Sequence, residues 1–86
     1  MKYKKKIRIR ERKMAEYGLA HNNGDHFVID IHPHHRTMKS RLNTTVHEAV
    51  HVGYWDLSEE KTKAIAWAVT HVLWRQGWRR QGEDKA

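Results

Sequence analysis

The hydrophobic period of the chain changes near its middle, and this change limits the folds that the chain can adopt. Over residues 6–10, isoleucine alternates with lysine or arginine, which is the period-two pattern of a strand with one solvated face. From Thr44 onward, apolar residues recur every three or four positions, as they do on one side of an amphipathic helix. The sequence therefore predicts an α+β fold in which the strands come first and the helices follow.

Three short strands are predicted before the helices. The first lies in the basic segment 1–13, the second covers residues 14–20, and the third covers residues 27–31, which are rich in β-branched and aromatic side chains. Residues 22–25 (Asn-Asn-Gly-Asp) supply strong turn chemistry between the second and third strands. Pro33 ends the third strand, because proline cannot donate to a strand ladder. Strands joined in series in this way predict a small antiparallel three-stranded sheet.

Two helices are predicted after the sheet. The first covers about residues 44–54, with Asn43 as its N-cap. The second begins after an N-cap at Ser58, runs to about Gln76 and ends at Gly77, since glycine commonly follows the last helical residue. The predicted order of elements is thus β-β-β-α-α.

The second predicted helix carries apolar residues on two sides. One stripe is expected to pack against the first helix and the sheet; it comprises Thr62, Ile65, Ala66, Val69, Val72 and Leu73. Trp67, Trp74 and His71 lie towards the other side, and two tryptophans on an outer face are unusual. We expect them to extend the core by covering the N-terminal strands, with a dimer contact or the wall of a substrate groove as alternatives.

Composition limits both the size of the core and the chemistry. A chain of 86 residues makes a single domain with a compact core, here residues 1–86, with 77–86 as a flexible basic tail. Because the chain has no cysteine, any metal must be held by His, Asp or Glu. The absence of a long apolar run at either end predicts a soluble, cytoplasmic protein.

The formal net charge is +7, and much of it lies near the two ends of the chain. Such a charge favours contact with acidic surfaces or nucleic acid, for example through the basic first strand. In that case affinity for DNA or RNA should fall steeply with salt; a solvated strand face is the other interpretation. The basic residues are Lys2, Lys4, Lys5, Lys6, Arg8, Arg10, Arg12 and Lys13 at the start, and Arg75, Arg79 and Arg80 near the end.

Residues 47–51 read His-Glu-Ala-Val-His and fall on the first predicted helix. Two histidines four residues apart lie about one turn apart on the same face, so His47 and His51 can both reach one divalent ion. Zinc lowers the pKa of a bound water, and Glu48 is placed to take its proton as that water attacks a carbonyl. Protonated Glu48 can then pass the proton to the leaving nitrogen. The motif predicts a zinc-dependent hydrolase of peptide amide bonds, with Glu48 as the catalytic base.

A catalytic zinc needs a third protein ligand, and the candidates lie downstream. A metzincin would have a third histidine six residues after His51, where this chain has Leu57, so that pattern is excluded. Glu59 falls near the edge of the stripe that should face the motif helix, and we predict it as the third ligand. The alternatives are Glu60 first, and then His71 or Asp56. A first-turn glutamate can also serve only as a partner of the helix dipole.

Other polar side chains are weaker candidates for a functional role. His32, His34 and His35 follow the third strand and could bind a metal adventitiously or line a cleft beside the motif helix, although we expect them to be exposed. Tyr54 or Tyr17 could donate to a transition-state oxygen. The spacing of the sequence selects neither tyrosine.

Several segments of the chain together resemble the small zincin-like proteins of bacteriophages and prophages, which are similar to minimal gluzincins and to the ImmA/IrrE-type metallopeptidases. The resemblance lies in residues 29–31 (Ile-Asp-Ile), 42–51 (Leu-Asn-Thr-Thr-Val-His-Glu-Ala-Val-His), 56–60 (Asp-Leu-Ser-Glu-Glu) and 73–79 (Leu-Trp-Arg-Gln-Gly-Trp-Arg). It implies a short sheet, an active-site helix with His47 and His51 as zinc ligands and Glu48 as base, and Glu59 as a ligand from the next helix. A phage-encoded member would act on a protein or peptide in the cytoplasm of the host cell.

The shortness of the chain distinguishes it from the larger members of that group. In those members the glutamate ligand lies much further downstream, and additional elements build the substrate cleft. The alternative to a peptidase is therefore a catalytically weak or inactive zincin scaffold that works by binding a protein or nucleic acid. Such a binding module would hold zinc stoichiometrically without hydrolysing peptides.

Overall fold

The protein has an α+β fold, as predicted, in which three strands precede two helices. In the computed structural model, which describes residues 5–81, the elements are β1 (Lys6–Glu11), β2 (Gly18–Asn22), β3 (His26–Ile31), α1 (Met38–Gly53) and α2 (Glu59–Arg75). The first residues of the predicted basic segment and the last residues of the predicted basic tail lie outside the described part of the chain.

The sheet is mixed, so the prediction of an antiparallel sheet was wrong in this respect. Its order is β1-β3-β2, with β3 antiparallel to β2 and parallel to β1. The hairpin between β2 and β3 turns at Gly24, whose φ of 90° is a conformation that other L residues rarely adopt. The turn predicted at residues 22–25 is thereby confirmed. The prediction failed at β1 because it assumed that strands adjacent in sequence are also neighbours in the sheet.

The connection from β1 to β2 crosses the carboxyl end of β3. The main-chain N–H of Arg12 donates to the carbonyl oxygen of Ile31 at 3.0 Å, and that of His32 donates to the carbonyl oxygen of Tyr17 at 2.8 Å. Residues 12–17 thus span two inter-strand spacings, about 10 Å in total. Because these residues make the crossing, β2 begins at Gly18 and not at the predicted residue 14.

Helix α1 is longer than predicted and begins six residues earlier. Its N-cap is Thr37, whose side-chain oxygen accepts a hydrogen bond from the N–H of Ser40 at 2.9 Å. Asn43, the predicted N-cap, lies inside the helix, where its Oδ1 accepts a hydrogen bond from Oγ1 of Thr70 on α2 at 3.3 Å. Asn43 therefore links the two helices.

The ends of α2 agree with the sequence. The Ser58 side chain accepts a hydrogen bond from the N–H of Lys61, which confirms Ser58 as the N-cap. Gly77 has a φ of 91° and follows the last turn, as expected of a glycine that ends a helix. Within residues 5–81, neither helix is long and apolar enough to cross a membrane.

The packing of α2 differs from the prediction. Small side chains face α1, and Thr62, Ala66 and Thr70 are buried there. Ile65, Val69 and Val72 of the predicted stripe are 40–55% exposed. Helix α2 packs chiefly on α1 and not on the sheet.

The two tryptophans of α2 have different surroundings. Trp67 is 65% exposed and stacks on His71 with ring centroids 5.3 Å apart, so the expectation that it extends the core was wrong. Trp74 is partly buried, and the guanidinium of Arg79 lies 3.3 Å from its ring centroid. Neither tryptophan has taken the predicted place over the strands, because α2 packs on α1 and not on the sheet.

Helix α1 covers β2 and β3 on one face of the sheet and leaves β1 largely uncovered. The hydrophobic residues most fully removed from water are Val28, Ile29 and Ile31 of β3 and Ala66 of α2. Strand pairing puts Arg8 and Arg10 beside Val28 and Asp30, on the face opposite the helices. The basic side chains of β1 thus lie on the outer face of the sheet, and their contact with nucleic acid stays a prediction.

A buried carboxylate joins the three strands on this outer face. The side chain of Asp30 is fully buried and accepts hydrogen bonds from Arg10 Nε at 2.7 Å and Arg10 Nη2 at 3.0 Å. Nη1 of Arg12 lies 3.4 Å and Nε2 of His21 lies 2.9 Å from Asp30 Oδ2. Hydrogen bonding from Arg10 holds the pKa of Asp30 below its ordinary value of 3.8, while burial acts in the opposite direction.

The substitution Asp30→Asn is expected to lower the free energy of unfolding by about 3 kcal/mol at neutral pH. This is the lower end of the range for a broken buried pair, because the Arg10 side chain is 39% exposed and can still reach water. In the wild type, the stabilisation that the ionised Asp30 carboxylate contributes is complete above pH 3.8. It is lost as the pH falls through the lowered pKa of Asp30.

Urea unfolding at pH 7 and near pH 3 measures both effects. The amide that replaces the carboxylate in Asp30→Asn cannot titrate, so the variant should lack this component of acid destabilisation. Equal stability of the two proteins at pH 7 would contradict a structural role for Asp30.

Candidate metal centre

Helix α1 places the two histidines of the motif on one face, as the spacing requires. The His47 and His51 rings lie with their centroids 4.9 Å apart at an interplanar angle of 68°. Both are partly buried, with side chains 15% and 24% exposed. His51 lies in the last turn of α1, where the carbonyl end of the helix dipole favours positive charge. This end of the helix is electrostatically suited to a cation.

The first residue of α2 returns the chain to these histidines. The loop after α1 is closed by a hydrogen bond from the N–H of Leu57 to the carbonyl oxygen of Tyr54 at 3.2 Å. Oε2 of Glu59 lies 3.0 Å from Nε2 of His47, and Oε1 lies 2.9 Å from Nε2 of His51. One carboxylate thus faces both imidazoles, with a different oxygen towards each.

These three side chains fit a divalent metal. Each offers one ligand atom, and the three atoms lie within 4.8 Å of one another. Ligand atoms around a tetrahedral zinc lie roughly 3.4 Å apart, so the ion would require the short N–O distances to lengthen slightly and the most widely separated ligand atoms to approach each other. Two imidazole nitrogens and a carboxylate oxygen are also a donor set that zinc commonly uses at catalytic sites.

Glu48 lies beside this group but points towards the sheet. It is 8% exposed, and its Oε2 would lie 3.1 Å from a Cβ placed on Gly18 of β2. Burial raises the pKa of the Glu48 carboxyl, while the neighbouring His47 and His51 act in the opposite direction. A carboxylate whose pKa is raised by burial is a stronger proton acceptor than an exposed one.

The four side chains line one cavity of about 360 Å³ with strand β2. Gly18, Leu19 and Ala20 form the strand side, and Trp55 forms part of the remaining wall. Trp55 stacks on Phe27 of β3 with centroids 6.0 Å apart, which ties the loop after α1 to the sheet. The cavity therefore has a peptide backbone on one side and the candidate ligands on the other.

Gly18 allows the close approach of α1 to β2. A Cβ at this position would lie 2.6 Å from Cγ2 of Thr44 and 3.0 Å from Cγ of Glu48. Gly18→Ala is therefore expected to lower the free energy of unfolding by about 2 kcal/mol through overpacking. Thermal or urea unfolding would measure the loss.

A second substitution tests this steric cause. Thr44→Ser removes the methyl group nearest to the added Cβ. Gly18→Ala should therefore cost less stability in a Thr44→Ser background than it costs in the wild type. A single alanine variant as stable as the wild type would show that α1 and β2 can separate without cost.

The alternative ligands lie elsewhere. Within residues 5–81, the group of side chains that could hold a metal contains Glu59 but not Glu60, Asp56 or His71. His71 stacks on Trp67 and lines a different cavity, near the start of α1. Glu60 and Asp56 are exposed. Glu59 thus remains the third ligand that the site favours.

The other histidines and tyrosines form a separate cluster or lie at the surface. Tyr17 packs against His35 with ring centroids 5.0 Å apart and against His32 at 6.2 Å. Nδ1 of His32 accepts a hydrogen bond from the N–H of His34 at 3.0 Å. His32 and His35 are partly buried, although we expected exposure, whereas His34 is exposed. Tyr54 is 62% exposed, and neither tyrosine lines the cavity of the metal ligands.

Sequence reasoning missed the residues that β2 and the loop contribute. Gly18, Leu19, Ala20 and Trp55 line the cavity, but no spacing relates them to the motif. The one signal was Gly18 itself, since a glycine in a strand often marks a site where another chain segment approaches closely.

Comparison with protein-family models, curated proteins and solved structures gave no match. The resemblance to the zincin-like proteins therefore stays a prediction. The function of the chain is inferred from the geometry of its site.

Proposed function

We propose that this protein is a zinc-dependent metallopeptidase-like hydrolase that cleaves a peptide amide bond. The observation that carries the proposal is the convergence of His47, His51 and Glu59, whose ligand atoms lie within 4.8 Å of one another in a cavity that also contains Glu48. Three ligands leave a fourth coordination position open for catalysis. When bound, zinc would supply a Lewis acid that polarises the carbonyl group and stabilises negative charge on its oxygen.

Glu48 is assigned the proton transfers. Its carboxylate accepts a proton from the attacking water as the water oxygen bonds to the carbonyl carbon. It then delivers that proton to the amide nitrogen as the carbon–nitrogen bond breaks. The burial of Glu48 against Gly18 holds the carboxylate in one place and limits its contact with bulk water.

We assign substrate binding to strand β2. It is an edge strand, because only β3 pairs with it among the described residues. Main-chain groups on its other side can therefore pair with an extended peptide, as in other cases where a peptide adds a strand to a sheet. Since Leu19 and Ala20 line the cavity of the ligands, a peptide bound there would pass beside Glu48. The substrate class supported is an unfolded segment of protein or an extended peptide.

Hydrolysis of casein and of a mixed peptide library, followed by mass spectrometry, tests the proposed function. Cleavage should disappear when a chelator removes the metal and return when zinc is added. A protein that holds zinc stoichiometrically and cleaves none of these substrates would favour the binding-module alternative.

A further inference from the structure

A second cavity lies at the opposite end of the helix pair from the candidate metal ligands. It has a volume of about 440 Å³ and lies between the first half of α1 and the segment that ends and follows α2. Met38, Leu42, Leu73, Trp74 and Trp78 make its walls largely apolar. Among the described residues, it shares none of its lining with the cavity of the metal ligands. Mainly apolar cavities of this size with a few polar groups are typical of small-molecule sites.

Arginine residues provide the charged groups of this cavity. Arg79 lies with its guanidinium 3.3 Å from the Trp74 ring centroid, and its Nη1 donates to the carbonyl oxygens of Trp78 at 2.8 Å and Trp74 at 3.1 Å. These contacts hold the guanidinium in place but are made to neutral groups. Among residues 5–81 these are the contacts that Arg79 makes, and none of them is to a carboxylate, so its positive charge is available to an anion that enters the cavity.

The two other arginines of the cavity already hold a carboxylate. Nη2 of Arg41 and Nη1 of Arg80 both donate to Oε2 of Glu11, at 2.6 and 2.9 Å. Hydrogen bonding from Arg80 is the largest influence that lowers the pKa of Glu11. This end of the cavity thus already binds one carboxylate through two charge-assisted hydrogen bonds.

We propose that this cavity binds a small amphipathic carboxylate, such as a medium-chain acyl anion. Its apolar body would lie along the walls formed by Leu42, Leu73 and Trp78, and its carboxylate would lie beside Arg79 and Arg80. Apolar burial provides the affinity, and the arginine charge selects a negative headgroup over a neutral or positive one. The site is independent of the proposed peptidase function.

Isothermal titration calorimetry with three ligands of equal chain length tests the proposal. Decanoate should bind saturably with one site per chain, 1-decanol more weakly, and decylamine at least about tenfold more weakly than decanoate. Decanoate and decylamine binding equally well, or decanoate showing no saturable binding, would overturn the proposal.

Substitutions at the cavity test whether binding depends on the arginine charge or only on apolar contact. Arg79→Gln or Arg80→Gln should weaken the binding of decanoate about tenfold. The binding of 1-decanol should stay nearly unchanged, and this result would also show that the apolar walls are intact. Arg75→Gln removes the same charge from an exposed position outside the cavity and should have little effect. Glu11→Gln should strengthen decanoate binding, because it removes a carboxylate that repels the ligand. If Arg79→Gln and Arg80→Gln have no more effect than Arg75→Gln, the proposed site is wrong.

Discussion

Replacing Glu48 with glutamine is expected to reduce hydrolysis by at least about 100-fold while the metal remains bound. Glutamine has nearly the same shape, but its amide cannot accept the proton that the attacking water must lose. The three proposed ligands belong to other side chains, so the substitution should leave zinc affinity nearly unchanged. Peptide turnover and zinc content, measured on the same preparation of Glu48→Gln, check both parts of this result.

The stability of the Glu48→Gln variant separates a catalytic role from a structural one. Glu48 is buried, and burial disfavours its charged form, so a neutral amide of equal size should not lower the melting temperature. Undiminished turnover in the variant would remove Glu48 from the mechanism. Loss of zinc together with turnover would instead place Glu48 among the ligands.

Glu59→Gln is expected to weaken zinc binding by at least about 100-fold. This loss of affinity is larger than the loss expected on removing a residue that only orients a ligand. The substitution removes the carboxylate charge and leaves an amide, which is a poor ligand for zinc. His47 and His51 alone would then hold the ion, and a two-ligand site is weak. Competition with a chromophoric zinc chelator gives the affinity directly.

Glu60→Gln is the matched control for this measurement. Both glutamates lie in the first turn of α2, where each interacts favourably with the helix dipole. A loss of dipole stabilisation should therefore be similar in the two variants, whereas only Glu59 faces the histidines. Equal zinc affinities in the two variants would show that Glu59 serves the helix and not the metal.

The order of elements followed from local signals in the sequence, but the topology of the sheet did not. Ser58 and Gly77 marked the ends of α2 because capping depends on a few neighbouring residues. The parallel pairing of β1 with β3 depends on contacts between residues 20 apart, such as that of Arg10 with Asp30. No local pattern encodes which edge of the sheet a strand joins.

The candidate site also contains residues that the sequence predicted and residues that it did not. His47, Glu48 and His51 lie within one helix, so the helical repeat alone fixes their relative directions. Glu59 could be selected from the predicted face of α2, although that face packs differently from the prediction. The wall formed by Gly18 and its strand neighbours depends on the packing of α1 against β2. No local pattern in the sequence predicts that packing.

The metal content of the protein, purified without a histidine tag, decides whether the proposed metal centre exists. After expression with zinc and dialysis, elemental analysis should find one zinc per chain in the wild type. Because His47 and His51 supply two of the three proposed ligands, almost none should remain in the double variant His47→Ala/His51→Ala. A wild type that retains no zinc, or a double variant that retains as much as the wild type, would contradict the proposed centre.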